Sequence, residues 1–375
     1  MVGNRPQNGK KTMNPKSLRK FFQNASAKDW SNWRWQMQNR VTLPEKLPDF
    51  HDISPVLKEE MRKVLPSYPM AVTPYFLSLI SEYDGLGPVA AQCLPNIKEI
   101  KILENFPKDP LGEDGNMPIP KLIHRYPDRV LAMVTQTCAT YCRHCNRKRF
   151  WKTPQNFPLQ KHLQQMVRYI AESPSIREVI ISGGDPLTFD DAKLEMILDS
   201  FSTIPSVEIL RIGSRMPSVL PMRITNDLCR MLKRYRPLWF NTQFNHPDEI
   251  TKDAADACQK IQEAGIPVSN QAVLLKGIND NPDVMARLLS SLQKISVRPY
   301  YLFHCEPVRG CGHFRTDLAQ GLSMMETLRK NCSGLALPQY VADLPGESGK
   351  VPILTLSKAL KMDLQKHQDF FDNSQ

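Results

Sequence analysis

RVLAMVTQTCATYCRHCNRKRF, residues Arg129–Phe150, joins an apolar, β-branched run to a loop carrying three cysteines. Arg129–Thr137 has the composition of a buried strand, and Cys138, Cys142 and Cys145 follow it directly in a C-x3-C-x2-C spacing. Similar short runs recur at Glu178–Ser182, Glu208–Gly213, Pro237–Gln243, Pro267–Val273 and Val297–Phe303. Amphipathic stretches separate them, Leu159–Ala171 and Thr251–Ala264 being the clearest. Strands alternating with helices at this spacing specify parallel βαβ units. Such units can build an open doubly wound sheet or the wall of a barrel. The polar residues decide between them: Gln136, Thr137, Ser182, Ser214, Arg215, Gln243, Asn245, Gln271 and His304 all fall at or just past strand C-terminal ends. A ring of polar strand ends is how (βα) barrels build their sites. The expected fold is therefore α/β, a partial (βα)6 barrel with an N-terminal helical extension.

The wider composition agrees. The 375 residues are 41% hydrophobic and 23% charged, which excludes a disordered or collagen-like chain. No apolar run approaches the roughly 18 residues of a membrane span, so no membrane association and a cytoplasmic location are expected. The 49 Lys+Arg outnumber the 38 Asp+Glu to give +11, which suits nucleic acid, but equally phosphorylated cofactors or acidic small molecules. An RNA-binding role is disfavoured because no RNA-binding module or aromatic–basic pattern is legible. Residues 1–28 hold seven Lys/Arg and no Asp or Glu, and read as a basic disordered tail, with a transit peptide as the alternative. Residues 29–120 read as a helical region, opening with one packing helix over Asp29–Val41 that carries Trp30, Trp33 and Trp35. Residues 121–335 form the barrel core, and 336–375 a C-terminal segment.

Nine cysteines without a secretory signal favour thiolates used as ligands over disulfides. Three in a compact loop suit a [4Fe–4S] cluster with one iron left open, since such clusters normally take four thiolates. Zinc is the alternative, with His144 as a fourth ligand, though its place between two of the cysteines makes a tetrahedron awkward. Arg143, His144, Arg147, Lys148, Arg149 and Lys152 beside the cysteines are expected to favour thiolate forms.

With the cysteine loop and Ser182–Leu187 (SGGDPL) in register, the chain resembles the radical S-adenosylmethionine enzymes. More closely, residues 29–358 resemble lysine 2,3-aminomutase and its relatives. The resemblance rests on HRYPDRVL, CRHCNRKRF, SGGDPL, RIGSRMPSVLP, FNTQFNHP, VRPYYLF, HFRT and PGESGK, in collinear order. It implies three cofactors: a [4Fe–4S] cluster on Cys138, Cys142 and Cys145, S-adenosylmethionine, and pyridoxal 5′-phosphate. In that family the open iron binds S-adenosylmethionine, and one electron cleaves it to a 5′-deoxyadenosyl radical. Ser182, Gly183, Gly184, Asp185 and Gln271 then correspond to S-adenosylmethionine contacts. Lys350, in a Gly/Ser turn, is the amine that forms a Schiff base with the pyridoxal aldehyde. Arg125, Tyr126 and Arg129 are the expected pyridoxal phosphate contacts; Pro127 forbids a helix there, and an extended chain would put Arg125 and Arg129 on one face.

For the substrate, the resemblance implies Arg147 on the α-carboxylate, and Asp343 with Glu306 on a cationic side-chain end. Lysine-specific members carry Asp where this chain has Glu306, so the reaction expected is L-lysine 2,3-aminomutation, with arginine or ornithine as alternatives. A radical elimination on the same scaffold is another. The expected partners are a small amino acid and a one-electron reductant such as flavodoxin or ferredoxin. Two departures stand out. Gln243 replaces a His usual in the family. Asn281, and the lack of any Cys after Cys332, remove the intersubunit zinc ligands of clostridial members, so no structural zinc and a homodimer are expected.

Overall fold

The computed structural model describes residues 22, 25–47, 53–80, 87–101, 105–152, 158–346 and 349–353. Most of the basic tail, and Glu347 and Ser348 of the PGESGK turn, lie outside the described residues. One nine-stranded sheet runs in strict sequence order. Its strands are β1 (Leu122–Tyr126), β2 (Arg129–Thr135), β3 (Glu178–Gly183), β4 (Ile209–Gly213), β5 (Leu238–Thr242), β6 (Val268–Leu274), β7 (Arg298–His304), β8 (Gln339–Leu344) and β9 (Gly349–Pro352). From β2 to β8 every pairing is parallel, while β1–β2 and β8–β9 are antiparallel hairpins at the two edges.

Each strand expected from the sequence is present within two residues of its expected limits. The parallel wall has one strand more than the expected six. β8 lies in the C-terminal segment, which is thus continuous with the barrel sheet. Helices cover the outer face because each has one apolar stripe. In Leu159–Ala171 the buried residues are Leu159, Leu163, Met166 and Ile170, at the spacing of one helix face. Side-chain caps start the later helices: Asp190 accepts from the Lys193 amide at 2.9 Å, Thr251 from Ala254 at 3.1 Å, and Asn281 from Asp283 at 2.8 Å.

Two local expectations change. The single helix over Asp29–Val41 is split into Ala27–Trp30 and Trp33–Gln38. Asn32 is the cause, since its Oδ1 caps the amides of Arg34 and Trp35 at 2.9 and 3.4 Å and so restarts the helix. Arg125 and Arg129 do not share one extended segment either. The chain turns at Pro127–Asp128, and Tyr126 pairs with Arg129 across the β1–β2 hairpin.

Among the described residues the sheet stops short of backbone closure, with no pairing between β1 and β9. Side chains span the gap instead. Arg125 on β1 donates to Asp343 on β8 at 2.8 Å and to the Gly346 carbonyl at 3.0 Å. Lys350 Nζ on β9 lies 3.5 Å from Tyr126 Oη on β1.

Candidate active site

A cavity of about 550 Å³ opens at the strand C-terminal ends, and every candidate residue from the sequence lines it. The cysteine loop forms one wall. It is fixed by main-chain bonds from Tyr141 to Ala71 O at 2.9 Å and from Arg143 to Gln92 O at 2.8 Å. Arg40 Nη1 adds a bond to the Cys138 carbonyl at 2.6 Å. The N-terminal region thus shapes the loop.

Basic neighbours do act to lower two of the thiols, Arg40 on Cys138 and Arg147 on Cys145, but burial outweighs them. Burial pushes Cys138 well up and Cys145 up to about 12, and the other two loop cysteines raise Cys138 further. The neighbouring cations are already neutralised by acids. Arg143 and Lys148 converge on Glu99 at 2.7 and 2.8 Å, and all three side chains are essentially unexposed. Arg147 forks onto Glu113 through Nε and Nη2 at 3.1 and 2.6 Å, and Arg149 joins it at 3.1 Å. Arg215, itself paired with Glu249 at 2.9 Å, also reaches sulfur: its Nη1 donates to Cys142 Sγ at 2.8 Å.

Three thiols converge on one cavity wall, which fits a cluster. Ligand binding itself supplies the drive to deprotonate such buried thiols. Among the described residues, no three His, Cys, Asp or Glu side chains approach closely enough to hold a single metal ion. His144 does not complete a zinc set. Burial and then Arg215 push its pKa down to about 3, and its Nε2 faces Asn245 Nδ2 at 3.3 Å.

The SGGD turn at the end of β3 presses directly on the strand that leads into the cysteine loop. Gly184 N donates to Thr135 O at 2.6 Å and Asp185 N to Thr137 O at 2.8 Å. A Cβ at Gly184 would stand 2.3 Å from the Thr137 carbonyl oxygen, so only glycine permits this approach. Ser182 and Gly183 face the cavity beside the cysteines, and Gln271 sits opposite, at a register shift between β6 and β7. Asp185 differs from expectation. Its carboxylate is occupied by Ser214 Oγ at 2.8 and 3.0 Å, Leu187 N at 3.0 Å and Arg215 N at 2.9 Å. It pins the turn to the β4 loop, and burial raises its pKa to about 6.

Deeper in the cavity, the β8–β9 hairpin sets Asp343 opposite Lys350, with an Nζ–Oδ2 distance of 3.2 Å. The Arg129 guanidinium stacks 3.8 Å over the Tyr126 ring and pairs with Asp128 at 2.6 Å. Arg125 Nη2 is buried without a hydrogen-bond partner among the described residues. An amine, an orphaned guanidinium donor and an aromatic face in one pocket fit a phosphorylated aromatic aldehyde.

Glu306 follows β7 and carries no ion pair among the described residues. Burial raises its pKa to about 8, with Asp343 and Glu113 adding to the effect. Sequence reasoning missed Glu99, Glu113, Glu249 and Gln92 altogether. Isolated acids and amides on or beside short helical turns carry no local sign of which cation they will meet. Arg215 was noticed as a polar strand end, without its contact to sulfur.

Comparison with known proteins adds independent findings. The radical SAM superfamily model matches residues 133–289. The chain is 45% identical over 336 residues to L-lysine 2,3-aminomutase of Fusobacterium nucleatum, covering 90% of this chain and 79% of that one. Against the L-lysine 2,3-aminomutase of Clostridium subterminale, identity is 44% over 335 residues, covering 89% and 80% of the two chains. Glutamate 2,3-aminomutase of Clostridioides difficile is 41% identical over 331 residues, covering 88% and 78%. A barrel sheet with the cysteine loop behind its first parallel strand, matched collinearly over most of these relatives' length, makes this chain a member of the lysine 2,3-aminomutase family within the radical SAM superfamily.

Proposed function

We propose that the chain moves the α-amino group of a cationic amino acid, L-lysine, to C3. It would do so with a [4Fe–4S] cluster held by Cys138, Cys142 and Cys145, with S-adenosylmethionine, and with pyridoxal phosphate joined through Lys350. When bound, the cluster and S-adenosylmethionine supply radical hydrogen abstraction, and pyridoxal phosphate supplies an aldehyde that carries the migrating nitrogen. A flavodoxin- or ferredoxin-like donor provides the electron.

The chain's own residues bind and orient. Glu113 holds the Nε/Nη2 edge of Arg147, leaving Nη1 without a hydrogen-bond partner among the described residues and free for a substrate α-carboxylate. Asp343 pairs with the Lys350 amine and helps aim it across the seam at Tyr126. Arg125 and Arg129 are the cations for a phosphate. The cavity at the strand ends holds a substrate C–H in a fixed place among these groups.

The observation that carries the lysine reading is Glu306. A partly buried carboxyl raised to about 8 beside a second acid, Asp343, has no ion pair among the described residues, and a substrate ammonium supplies one. The same residue favours a second reading. Glu is longer than Asp by roughly 1.5 Å, one C–C bond, which suits the shorter ornithine or the planar guanidinium of arginine. Lysine, ornithine, arginine and glutamate should be incubated in parallel with anaerobically reconstituted, reduced protein, and the β-amino products quantified. Turnover of lysine is expected. Preference for arginine or ornithine would select the second reading, and turnover of glutamate alone would overturn both.

A further inference from the structure

Arg215, just past the C-terminal end of β4, has nearly every donor of its guanidinium assigned. Nη1 donates to Cys142 Sγ at 2.8 Å, and Nε to the Gln243 carbonyl at 3.2 Å. Nη2 donates to Gln92 Oε1 at 2.5 Å and to Glu249 at 2.9 Å. The Arg215 main-chain amide is held by Asp185 at 2.9 Å, and its guanidinium lies 5.4 Å from the centre of the Phe76 ring. Glu249, wholly buried, accepts in addition from Ser218 Oγ at 2.6 Å, Gln92 Nε2 at 2.9 Å, and the amides of Asn245 and His246 at 3.0 and 2.8 Å. Groups from five separate segments thus aim one charged N–H at one sulfur. The other two loop cysteines receive less. Cys145 Sγ accepts only the Arg147 amide at 3.4 Å, and Cys138 Sγ accepts no hydrogen bond among the described residues.

We propose that Arg215 sets the reduction potential of the cluster by a charge-assisted hydrogen bond to the Cys142 sulfur, with Glu249 as the counter-charge that limits the effect. The inference rests on the reading of Cys142 as a cluster ligand. Reduction adds an electron whose charge spreads over iron and sulfur. A donated hydrogen bond and a nearby positive charge stabilise that reduced state and make the potential less negative. Burial keeps water from screening the interaction. The arrangement also distinguishes the iron on Cys142 from the irons on Cys138 and Cys145, whose sulfurs have no cationic donor among the described residues.

Two variants test the idea by moving the potential in opposite directions. Glu249→Gln is nearly isosteric and removes the counter-charge while Arg215 keeps its contact, so the potential rises. The double variant Arg215→Gln/Glu249→Gln removes both charges together, leaving no buried ion unpaired, so the potential falls. At a fixed applied potential, the reduced-to-oxidised cluster ratio read by EPR should rise about tenfold in the first and fall about tenfold in the second. Each corresponds to about 59 mV for a one-electron couple. The iron content and spectrum of the reconstituted wild type report separately on the cluster reading, and a wild type that binds no cluster would sink that reading. With a normal wild-type cluster, ratios unchanged within twofold, or moving the same way in both variants, would overturn the role of Arg215. An iron-free variant of either kind would make the network an assembly device and overturn it equally.

Discussion

Glu306 and Lys350 look into one cavity with opposite electrical needs. With its carboxyl pushed up to about 8, Glu306 is largely protonated in the free protein at pH 7. Only the ionised form pairs with a substrate ammonium, so lysine binding releases a proton. KM for lysine should fall as pH rises from 7 towards 9, until the substrate's own ammonium, near 10.4, starts to lose its proton. In Glu306→Gln we expect KM to rise by about ten- to a hundredfold, the equivalent of losing a roughly 1.5–3 kcal/mol bond to a charged group, and its slope over that pH range to flatten. Steady-state kinetics across pH check both. For Lys350, borohydride treatment of the pyridoxal-loaded protein should fix a pyridoxyl label on the peptide containing residue 350, and Lys350→Ala should carry none there. Cysteine spacing and the late lysine were legible because each is a local pattern with its own chemistry. The partners of the loop's basic residues were not, because Glu99 and Glu113 reach them from 44 and 34 residues away along the chain.

At the scale of elements, the β8–β9 hairpin does the positioning. Gly349 sits at φ +61° with any Cβ only 2.7 Å from Tyr126 Oη, and Lys350 follows it. Gly349→Ala would shift Lys350 or Tyr126, and a misplacement near 1 Å is worth about a hundredfold in rate. We expect kcat to fall on that order with the unfolding midpoint little changed, measured by turnover and by calorimetry. The cysteine loop depends on another device, the buried Glu99 triad. Glu99→Ala strands two buried cations and should cost about 3–5 kcal/mol, read from urea unfolding. Burial opposes the Glu99 charge, but Arg143 and Lys148 overcome this and hold its pKa below the usual 4.5. Its contribution is therefore full above pH 4.5 and is lost as acidification passes the lowered value. The parallel strands were legible as β-branched and apolar runs, buried at alternate positions along β3 and β4. β1, β8 and β9 were not, because the polar residues His124, Arg125, Asp343 and Lys350 interrupt their apolar runs.

For the molecule as a whole, the open seam between β1 and β9 matters most. The ring of polar strand ends was enough to choose a barrel over a flat sheet, but how the ring closes depends on pairs more than 200 residues apart, such as Arg125–Asp343 and Lys350–Tyr126. Removing the first tie with Arg125→Gln should speed amide hydrogen exchange in residues 122–126 and 349–352 and leave β4 and β5 unchanged. Equal acceleration everywhere would mean that the seam is not locally held. The cysteine loop leads to a different consequence. Its basic residues are satisfied by protein acids and its backbone by the N-terminal region, so none of these ties needs iron to form. Small zinc domains gain their structure from the metal. Here protein groups also tie the ligand loop, Arg40, Ala71 and Gln92 through its main chain and Glu99 and Glu113 through its basic side chains, so a change in the N-terminal region reaches the cysteines.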